Sequence, residues 1–234
     1  MKKTVGALTA LALAACSQQP AEKTKAAEAP AAPAAPTPAK NTAPAGEYKL
    51  DKTHASVTFR VDHLGLSRYT ARFTDIDGTL QFDPANPAAM RIAASIDTDS
   101  LETDFPNDKP DFDAELVGPQ WLDAGKFPKI TFTSTKVEPT GPSTAKVTGD
   151  FTLHGVTRPL TLNVRFNGGY AAGGMDPSGS RIGFSAEGKL KRSDFGVSYG
   201  VPAPGTTFGV GDKVEVFIEA EFTQPAPATP KPAG

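Results

Sequence analysis

The sequence has little of the chemistry that covalent catalysis uses: its 234 residues include one cysteine, three histidines and one tryptophan. A single cysteine excludes an intrachain disulfide, and no G-x-S-x-G nucleophile elbow occurs. No apolar run reaches the ~20 residues that a transmembrane helix requires. The formal net charge of -2 gives no electrostatic footprint for nucleic acid or for an anionic membrane surface. The composition therefore favours a binding or structural protein over an enzyme.

The N-terminal segment has the layout of a bacterial export signal. Two lysines precede an apolar run at residues 5–13, and small residues follow. The tetrapeptide L-A-A-C that ends at Cys16 resembles a lipobox, so we expect residues 1–15 to be a lipoprotein signal peptide and the Cys16 thiol to be acylated, for example with palmitate. An ordinary cleaved signal with a chance cysteine is the alternative. Ser17, rather than aspartate, predicts the periplasmic face of the outer membrane.

Composition divides the remainder of the chain into three parts. Residues 16–46 are rich in Ala, Pro, Lys, Glu and Thr and have no aromatic or branched aliphatic side chain. Such a stretch cannot bury enough apolar surface to offset its ordering entropy, which predicts a disordered tether behind the lipidated cysteine. Residues 224–234 form a similar Pro/Ala tail. Residues 47–223 have a length that suits one domain.

Alternating apolar and polar side chains predict that this domain is all-β, with eight antiparallel strands. Val57, Phe59 and Val61 alternate with polar neighbours, which is the period of a half-buried strand. Eight strands form either a closed barrel or a two-sheet sandwich, and periodicity does not decide whether an apolar interior is filled or hollow. The same period recurs near residues 79–82, 91–96, 129–132, 147–153, 160–166, 182–184 and 214–222, with 69–73 joined to 79–82 as one bent strand.

Residues 104–124 break the strand pattern. Phe112, Leu116 and Leu122 recur at three- to six-residue spacing between prolines, which predicts one or two short helices over an end or face of the sheet. We interpret Trp121 as a core plug in preference to a platform for a ligand.

Five motifs, in order along the chain, carry a resemblance to a known family. The motifs are YKLDKTHASVTF at 48–59 with HLGLS at 63–67, FPKITF at 127–132, GDFTLHGVT at 149–157, RSDFGV at 192–197 and VGDKV at 210–214. Together they resemble the YceI-like family from about residue 48 to residue 222. The resemblance implies an extended, lipocalin-like β-barrel with an apolar cavity for a polyisoprenoid or similar amphiphile, such as a prenylated quinone or polyprenyl phosphate.

One position departs from the family pattern and bears on the ligand. The helical segment reads Asp113-Ala-Glu115-Leu116, and Glu115 stands where the family usually has histidine. If that histidine contacts a ligand headgroup, the choice of headgroup changes in this chain.

The interpretation that follows is a lipid-tethered periplasmic carrier or scavenger with no cofactor other than its isoprenoid ligand. A homodimer and a monomer both fit this interpretation. The alternative is a structural or stress-response barrel whose interior side chains pack against one another and which acts through a protein partner. The residues expected to line the interior are Phe59, Val61, Phe73, Ile92, Phe132, Phe151, Leu162, Val164, Phe184, Val216 and Ile218.

Catalytic and metal-binding interpretations have weaker support. His54 and His63 are nine residues apart, so on one regular strand they face opposite sides, and no shared metal site is expected. A periplasmic hydrolase or isomerase would require a polar cluster inside the cavity. Arg192 and Asp194 form either a strand-end ion pair or part of a headgroup clamp. The acidic residues between 104 and 115 lack the spacing of a calcium loop and are expected to be solvated.

Overall fold

The structure, a computed structural model, describes residues 40–107, 109–174 and 176–226. The signal peptide, Cys16 and most of the tether and tail lie outside these residues. No helix in the described ranges is long and apolar enough to cross a membrane. The strands are β1 (Gly46–His63), β2 (Ser67–Phe73), β3 (Ile76–Phe82), β4 (Arg91–Asp97), β5 (Leu101–Glu102), β6 (Lys129–Gly141), β7 (Thr144–Leu153), β8 (Val156–Tyr170), β9 (Gly179–Lys191) and β10 (Val210–Pro225), and the α-helix is α1 (Phe112–Val117).

The strands close into an antiparallel barrel because the last strand pairs with the first. From β3 through β4, β6, β7, β8 and β9 to β10, each strand pairs with the next, and β1 pairs with both β10 and β3. Val57 lies opposite Ile218 in the closing ladder. Closure decides between the two predicted architectures in favour of the barrel, and it leaves no sheet edge along this ladder.

β1 changes partner along its length. Tyr48, near its start, lies opposite Leu80 of β3, whereas Phe59, near its end, lies opposite Ala71 of β2. β2 and β3 therefore act as one bent strand, and β5 continues the line of β4 beyond a 3₁₀ turn at Thr98–Ser100. Counted in this way, the barrel has eight strands, and the prediction of an eight-stranded antiparallel barrel with one bent strand is confirmed.

The two ends of the barrel differ in what closes them. We call the end with the turns at residues 83–90, 142–143 and 171–178 the lower end, where only short connections occur. The upper end holds the tight turn at 154–155 together with two long segments, residues 103–128 and 192–209. His154 and Gly155 have φ of 50° and 74°, as a two-residue hairpin requires.

Two apolar clusters hold the barrel together. The lower cluster includes Tyr48, Ile182 and Phe222, and the Tyr48 hydroxyl donates a hydrogen bond to the Pro44 carbonyl at 2.8 Å. The upper cluster includes Ile130 and Phe195 and extends to partly buried side chains of α1. Each fully buried side chain of this size contributes roughly 1.5–3 kcal/mol relative to an exposed one.

The prediction of one or two short helices is confirmed, with a single short α-helix in this segment. Residues 103–128 contain one six-residue α-helix, and the Asp111 carboxylate caps it by accepting a hydrogen bond from the Ala114 amide at 2.9 Å. The other described residues of the segment form turns and irregular backbone at the upper end. The helix therefore forms part of the wall at that end.

The packed domain extends slightly beyond the predicted boundaries. Ala43, assigned to the tether, is buried, and Asn41 pairs with Gly169. Gln224 and Pro225, assigned to the tail, belong to β10. Small residues and prolines give no alternation signal, so pairing through the backbone here could not be read from side-chain pattern.

Candidate functional site: an apolar interior in two compartments

The barrel encloses two adjacent cavities instead of a filled core. The lower compartment has a volume of about 410 Å³ and the upper compartment about 480 Å³. Both volumes fall within the ~300–1,000 Å³ range of ligand pockets. Five side chains line both cavities and form what we call the waist: Val57, Ile96, Ile130, Phe151 and Val216.

Small residues keep the lower compartment open. Ala94 of β4 lies opposite Gly78 on one neighbouring strand and Phe132 on the other. Ala186 of β9 lies between Val164 and Ile218. A side chain of one carbon or none leaves the space that a leucine or phenylalanine would fill. The small lining residues of this compartment are Ala55, Gly78, Ala94, Gly141, Ala145, Ala186 and Ala220.

The lower compartment reaches the surface between two turns. Pro84 and Pro87 lie on one side of this mouth, Pro139 and Pro142 lie on the other, and all four are exposed. Arg91 stands beside them, and its Nη1 donates to the carbonyl of Met90 at 2.7 Å. The mouth therefore combines a rigid, largely apolar rim with one cation.

The upper compartment has a composite wall. Residues of β1, β2, β4, β5, β6, β7, β9 and β10 line its sides, and α1 with the turns around it covers it at the upper end. Phe112 of α1 packs edge-on against Tyr69 of β2, with ring centroids 5.9 Å apart, and its ring lies 5.4 Å from that of Phe105. Phe105 is 39% exposed, so this aromatic group lies between the cavity and solvent.

Arg192 places a buried positive charge on the wall of the upper compartment. The residue is 5% exposed, and its guanidinium donates to four carbonyl oxygens, those of Val197, Tyr199, Val210 and Gly211. Burial lowers the pKa of Arg192, and the nearby Asp212 carboxylate acts in the opposite direction. The interpretation of Arg192 and Asp194 as an ion pair is wrong, because within the described residues Arg192 forms no ion pair.

Trp121 lies against this arginine. The guanidinium carbon of Arg192 is 5.4 Å from the centre of the indole ring, and the Tyr199 ring packs edge-on at 5.1 Å. The indole lines the upper compartment, and its buried Nε1–H has no acceptor among the described residues. Trp121 thus packs as the plug that was predicted and also forms part of the cavity wall.

The structure places all eleven residues expected in the interior on the walls of the two compartments. These residues alternate with outward-facing residues along the strands, so the period-two pattern of the sequence was enough to identify them as inward-facing. That they contact a ligand stays a prediction. Phe59, Val61 and Phe73 line the upper compartment, Phe151 and Val216 belong to the waist, and Ile92, Phe132, Leu162, Val164, Phe184 and Ile218 line the lower compartment.

The eleven predicted residues omit several large strand residues that line the cavities, among them Leu80, Phe82 and Phe166. They also omit three further groups of lining residues. The first comes from residues 105–122, where Phe105, Phe112 and Trp121 lie outside the strands and so outside the period-two pattern. The second is the set of small residues, which carry almost no hydropathy signal although they occupy inward positions. The third is Arg192, whose burial depends on carbonyl groups supplied by residues up to 19 positions away.

Glu115 lies away from both cavities. It is exposed on α1, and it is not among the residues that line either compartment. The concern that this departure changes the headgroup preference therefore has no geometric basis in the structure.

His54 and two nearby acidic residues form a cluster that resembles a metal site. Asp51, His54 and Glu221 offer ligand atoms within 4.8 Å of one another, the arrangement a metal ion needs. However, Arg181 donates to the Asp51 carboxylate at 2.6 Å and to the Glu221 carboxylate at 2.8 Å, so a cation already occupies the centre of this group. The resulting network lies on the outer face of β1, β9 and β10 and joins these strands. Hydrogen bonds from Thr53 and from Arg181 hold the pKa of Asp51 well below its usual value.

Comparison with known proteins gives the same picture of the fold. The family model described as the YceI-like domain matches residues 48–222. The YceI proteins of Salmonella arizonae and Salmonella paratyphi B are each 40% identical over 187 residues, which is 78% of this chain and 90% of theirs.

Solved structures from other bacteria share the barrel. The Campylobacter jejuni YceI protein superposes with a TM-score of 0.57 at 30% identity, over 70% of this chain and 89% of that one. Burkholderia cenocepacia BcnA gives 0.60 at 24% identity, over 74% and 98% of the two chains. A domain from Saccharophagus degradans, described as polyisoprenoid-binding, gives 0.54 at 17% identity, over 76% and 98%. With the match spanning nearly the whole barrel, the chain belongs to the YceI-like family.

Proposed function

We propose that this protein binds one long-chain isoprenoid lipid, a prenylated quinone or a polyprenyl phosphate, along the axis of its barrel. The observation that carries the proposal is the hollow interior, in which two apolar cavities meet at the waist and small residues line the lower one. A long, thin, methyl-branched chain matches a cavity of this shape better than a compact ligand does. A barrel that acted only as a structural element would gain stability from filling this space.

The energetics are sufficient for useful affinity. A prenyl chain that buries several hundred Å² gains up to ~15 kcal/mol at about 25 cal/mol per Å². Lost translational and rotational freedom and ordering of the tail oppose binding by ~4–15 kcal/mol. The surplus reaches ~11 kcal/mol at the favourable limit, which is enough for micromolar or tighter affinity, and selectivity then comes from the few polar groups on the walls.

Family membership supports the same proposal. The Saccharophagus degradans domain that shares this fold is described as polyisoprenoid-binding. At 17% identity that likeness extends to the fold alone, so the cavity of the present chain carries the chemical argument. Binding is also favoured over catalysis, because Arg192, the one charged side chain that is buried within the described residues, has its guanidinium engaged by carbonyl oxygens.

We also propose that the protein acts as a carrier or scavenger at the periplasmic face of the outer membrane, tethered through an acylated Cys16. The sequence of the signal supports this location. Labelling cells with a palmitate analogue tests it: the wild-type chain incorporates the label and fractionates with membranes, whereas the Cys16→Ser variant does neither. A labelled Cys16→Ser variant would contradict the assignment of the lipid to Cys16.

Native mass spectrometry with organic extraction tests the ligand. The protein is purified without detergent from a bacterial periplasm. We expect a co-purifying prenyl lipid near one per chain or per dimer. An unliganded mass that stays unchanged after incubation with prenylquinones and polyprenyl phosphates would contradict the proposal and favour a barrel that works through a protein partner.

A further inference from the structure

The upper end of the barrel carries two large apolar side chains that are almost fully exposed. Leu66 is 83% exposed in the turn between β1 and β2, and Phe208 is 85% exposed in the segment before β10. Tyr199, which is 50% exposed, lies in the same segment as Phe208. Among the described residues, the three most exposed large apolar side chains therefore stand at one end of the barrel.

The turn that carries Leu66 is held by hydrogen bonds. Its two central residues, Leu64 and Gly65, have φ of 60° and 70°, as a two-residue hairpin turn requires. The Leu66 amide donates to the His63 carbonyl at 3.0 Å. The Gly65 amide donates to the Asp62 carboxylate at 2.8 Å. The backbone of this turn therefore presents Leu66 to solvent in a fixed position.

The segment that carries Phe208 lies beside this turn. The turn donates one backbone hydrogen bond, 2.9 Å long, to the Gly209 carbonyl. Gly65 is packed against Thr207, since a β-carbon added at Gly65 would stand 3.1 Å from the Thr207 β-carbon. Leu66 and Phe208 directly follow these two contacting residues in the chain. We call Leu66 and Phe208 together the apolar tip.

The segment that carries Phe208 has no charged side chain. Residues 199–211 contain no Asp, Glu, Lys or Arg, although charged residues make up 21% of the chain. On the neighbouring strands, Arg68 is paired with Glu215 at 3.1 Å. An unpaired charge carried towards an apolar layer costs free energy, so an uncharged segment suits contact with lipid.

The area of the apolar tip is too small for a stable protein interface. A leucine and a phenylalanine side chain together offer on the order of 300 Å². Each partner of a typical protein complex buries about 800 Å². A lipid bilayer needs no complementary surface, and it takes up isolated apolar side chains at the boundary of headgroups and acyl chains. A bilayer therefore fits the apolar tip better than a second copy of the chain does.

The length of chain before the barrel allows the upper end to reach the membrane. Lys40 lies at the lower end, where Asn41 pairs with Gly169. The chain from Cys16 to Lys40 spans at most ~80 Å. β1 has 18 residues and is therefore ~60 Å long. Because an acylated Cys16 would already confine the barrel near the bilayer, a weak contact is enough to dock it.

We propose that the apolar tip docks the upper end of the barrel on the surface of a lipid bilayer. This inference goes beyond the proposed function and rests on it only for the anchor at Cys16. The docked segment borders the cavity, because Tyr199 packs on Trp121 of the upper compartment with ring centroids 5.1 Å apart. Docking therefore brings the end of the barrel that holds α1 and the upper compartment to the lipid phase.

The other long segment at this end predicts which bilayers take part. Asp104, Asp111 and Glu115 are exposed in or beside α1. Anionic headgroups repel these carboxylates, so they offer no electrostatic attraction to the barrel. We therefore expect docking on zwitterionic bilayers, with no gain from anionic lipid and little dependence on salt.

Vesicle binding by the full-length chain tests the proposal. Cys16→Ser removes the anchor and the only cysteine, so a single new cysteine can carry an environment-sensitive fluorophore. Ala203→Cys places this probe in the segment of the apolar tip, whereas Ala88→Cys places it at the lower end, and both positions are exposed. With phosphatidylcholine vesicles that contain no isoprenoid, we expect the emission to shift to the blue at position 203 and to stay unchanged at position 88.

Substitutions in the apolar tip measure its contribution. In the Cys16→Ser chain, Leu66→Ser combined with Phe208→Ser should reduce vesicle partition about tenfold or more. Thermal unfolding should stay the same, since both side chains are almost fully exposed. Tyr170→Ser is the matched control, because Tyr170 is 42% exposed at the lower end, and it should leave partition unchanged. Added phosphatidylglycerol or salt should change partition less than about twofold.

The outcomes separate this inference from the proposed function. A blue shift at position 88 instead of position 203, or unreduced partition of the Leu66→Ser and Phe208→Ser chain, would overturn the docking proposal and leave the cavity as it stands. Binding to anionic vesicles alone would also overturn it. A wild-type dimer that this double variant fails to form in analytical ultracentrifugation would show that a second copy covers the apolar tip. Because the vesicles contain no isoprenoid, a barrel that binds no prenyl lipid would contradict the proposed function without altering these results.

Discussion

The lower and upper compartments have similar volumes but are walled by different kinds of structure. Paired strands surround the lower compartment, so its backbone groups are satisfied by the ladders of the barrel. Strands also form most of the wall of the upper compartment, but α1 and the turns around it complete that wall at the upper end. A wall of ladder hydrogen bonds opens only with the whole barrel, whereas a short helix held by side-chain contacts opens locally at lower cost.

The two compartments differ in the part that each would play in binding a lipid. Paired strands bound the lower compartment, and small side chains such as Ala94 and Ala186 set its width. The upper compartment has the movable wall and the buried polar groups. A lipid carrier needs both, because one part must exclude water from the tail and another must admit and release the ligand.

The largest expected effect comes from filling the lower compartment. Ala94→Phe directs a benzyl group into this cavity, where it displaces several methylenes of the tail at ~0.8 kcal/mol each, a loss of about a hundredfold or more in lipid affinity. Native mass spectrometry or a lipid-binding titration measures the change, and thermal unfolding shows whether the barrel is intact.

The neighbouring residue provides the control for this substitution. Ala93 is exposed and points outward from the same strand, so Ala93→Phe adds the same group and should leave affinity unchanged. Undiminished binding by a folded Ala94→Phe protein would show that the tail does not use the lower compartment.

A smaller effect is expected from loosening the upper wall. Phe112→Ala removes the ring that holds α1 against Tyr69 and Phe105, and it should speed lipid release about tenfold. Amide exchange in residues 103–123 should rise while exchange in β7 and β8 stays the same. Phe166→Ala, in the strand-walled compartment, is the matched control and should enlarge the cavity without opening a wall. Equal release rates for the two variants would remove the distinction between the compartments.

The charge network outside the lower compartment gives a pH-dependent effect of about 1 kcal/mol. Because the pKa of Asp51 lies lower in the folded protein than in the unfolded chain, its stabilisation is complete well above the ordinary value of 3.8 and is lost as the pH falls below that value. Asp51→Asn should therefore lower the free energy of unfolding by ~1 kcal/mol at pH 7 and by progressively less below pH 4.

Urea unfolding at several pH values measures this difference. Glu187→Gln serves as the control, since Glu187 is an exposed acid of β9 that forms no ion pair in the described structure. A penalty for Asp51→Asn that is the same at pH 7 and at pH 2.5 would show that the loss does not come from ionisation.

The smallest effect is expected at Glu115. Glu115→His restores the residue that the family usually has, yet the side chain lies on the exposed face of α1. We expect lipid affinity to change less than about twofold, within the ±0.5 kcal/mol typical of surface substitutions. A larger change in headgroup preference would place this position in contact with the ligand after all.

Much of the fold could be predicted because the alternation of apolar and polar side chains that marks a strand is visible within a short stretch of sequence. Val57, Phe59 and Val61 alternate with polar neighbours whatever the rest of the chain does, and the same period located the eight predicted strand segments and eleven of the inward-facing side chains. The turn at His154 and Gly155 is also local in origin, because its positive φ values are set within two residues. Period-two alternation arises within a few residues, so no tertiary information is needed to read it.

The sequence by itself determined an antiparallel all-β domain with eight strands and an apolar inner face. Only the tertiary structure decided that this face surrounds open space, because hollowness depends on Ala94, Gly78 and Phe132 meeting across strands far apart in the chain. The same holds for Arg192, whose guanidinium donates to carbonyl groups of the segment before β10 and of the start of β10 instead of forming the expected ion pair. Closure of the barrel brings such distant groups together. The local pattern of apolar and polar residues does not show which of these groups will be in contact.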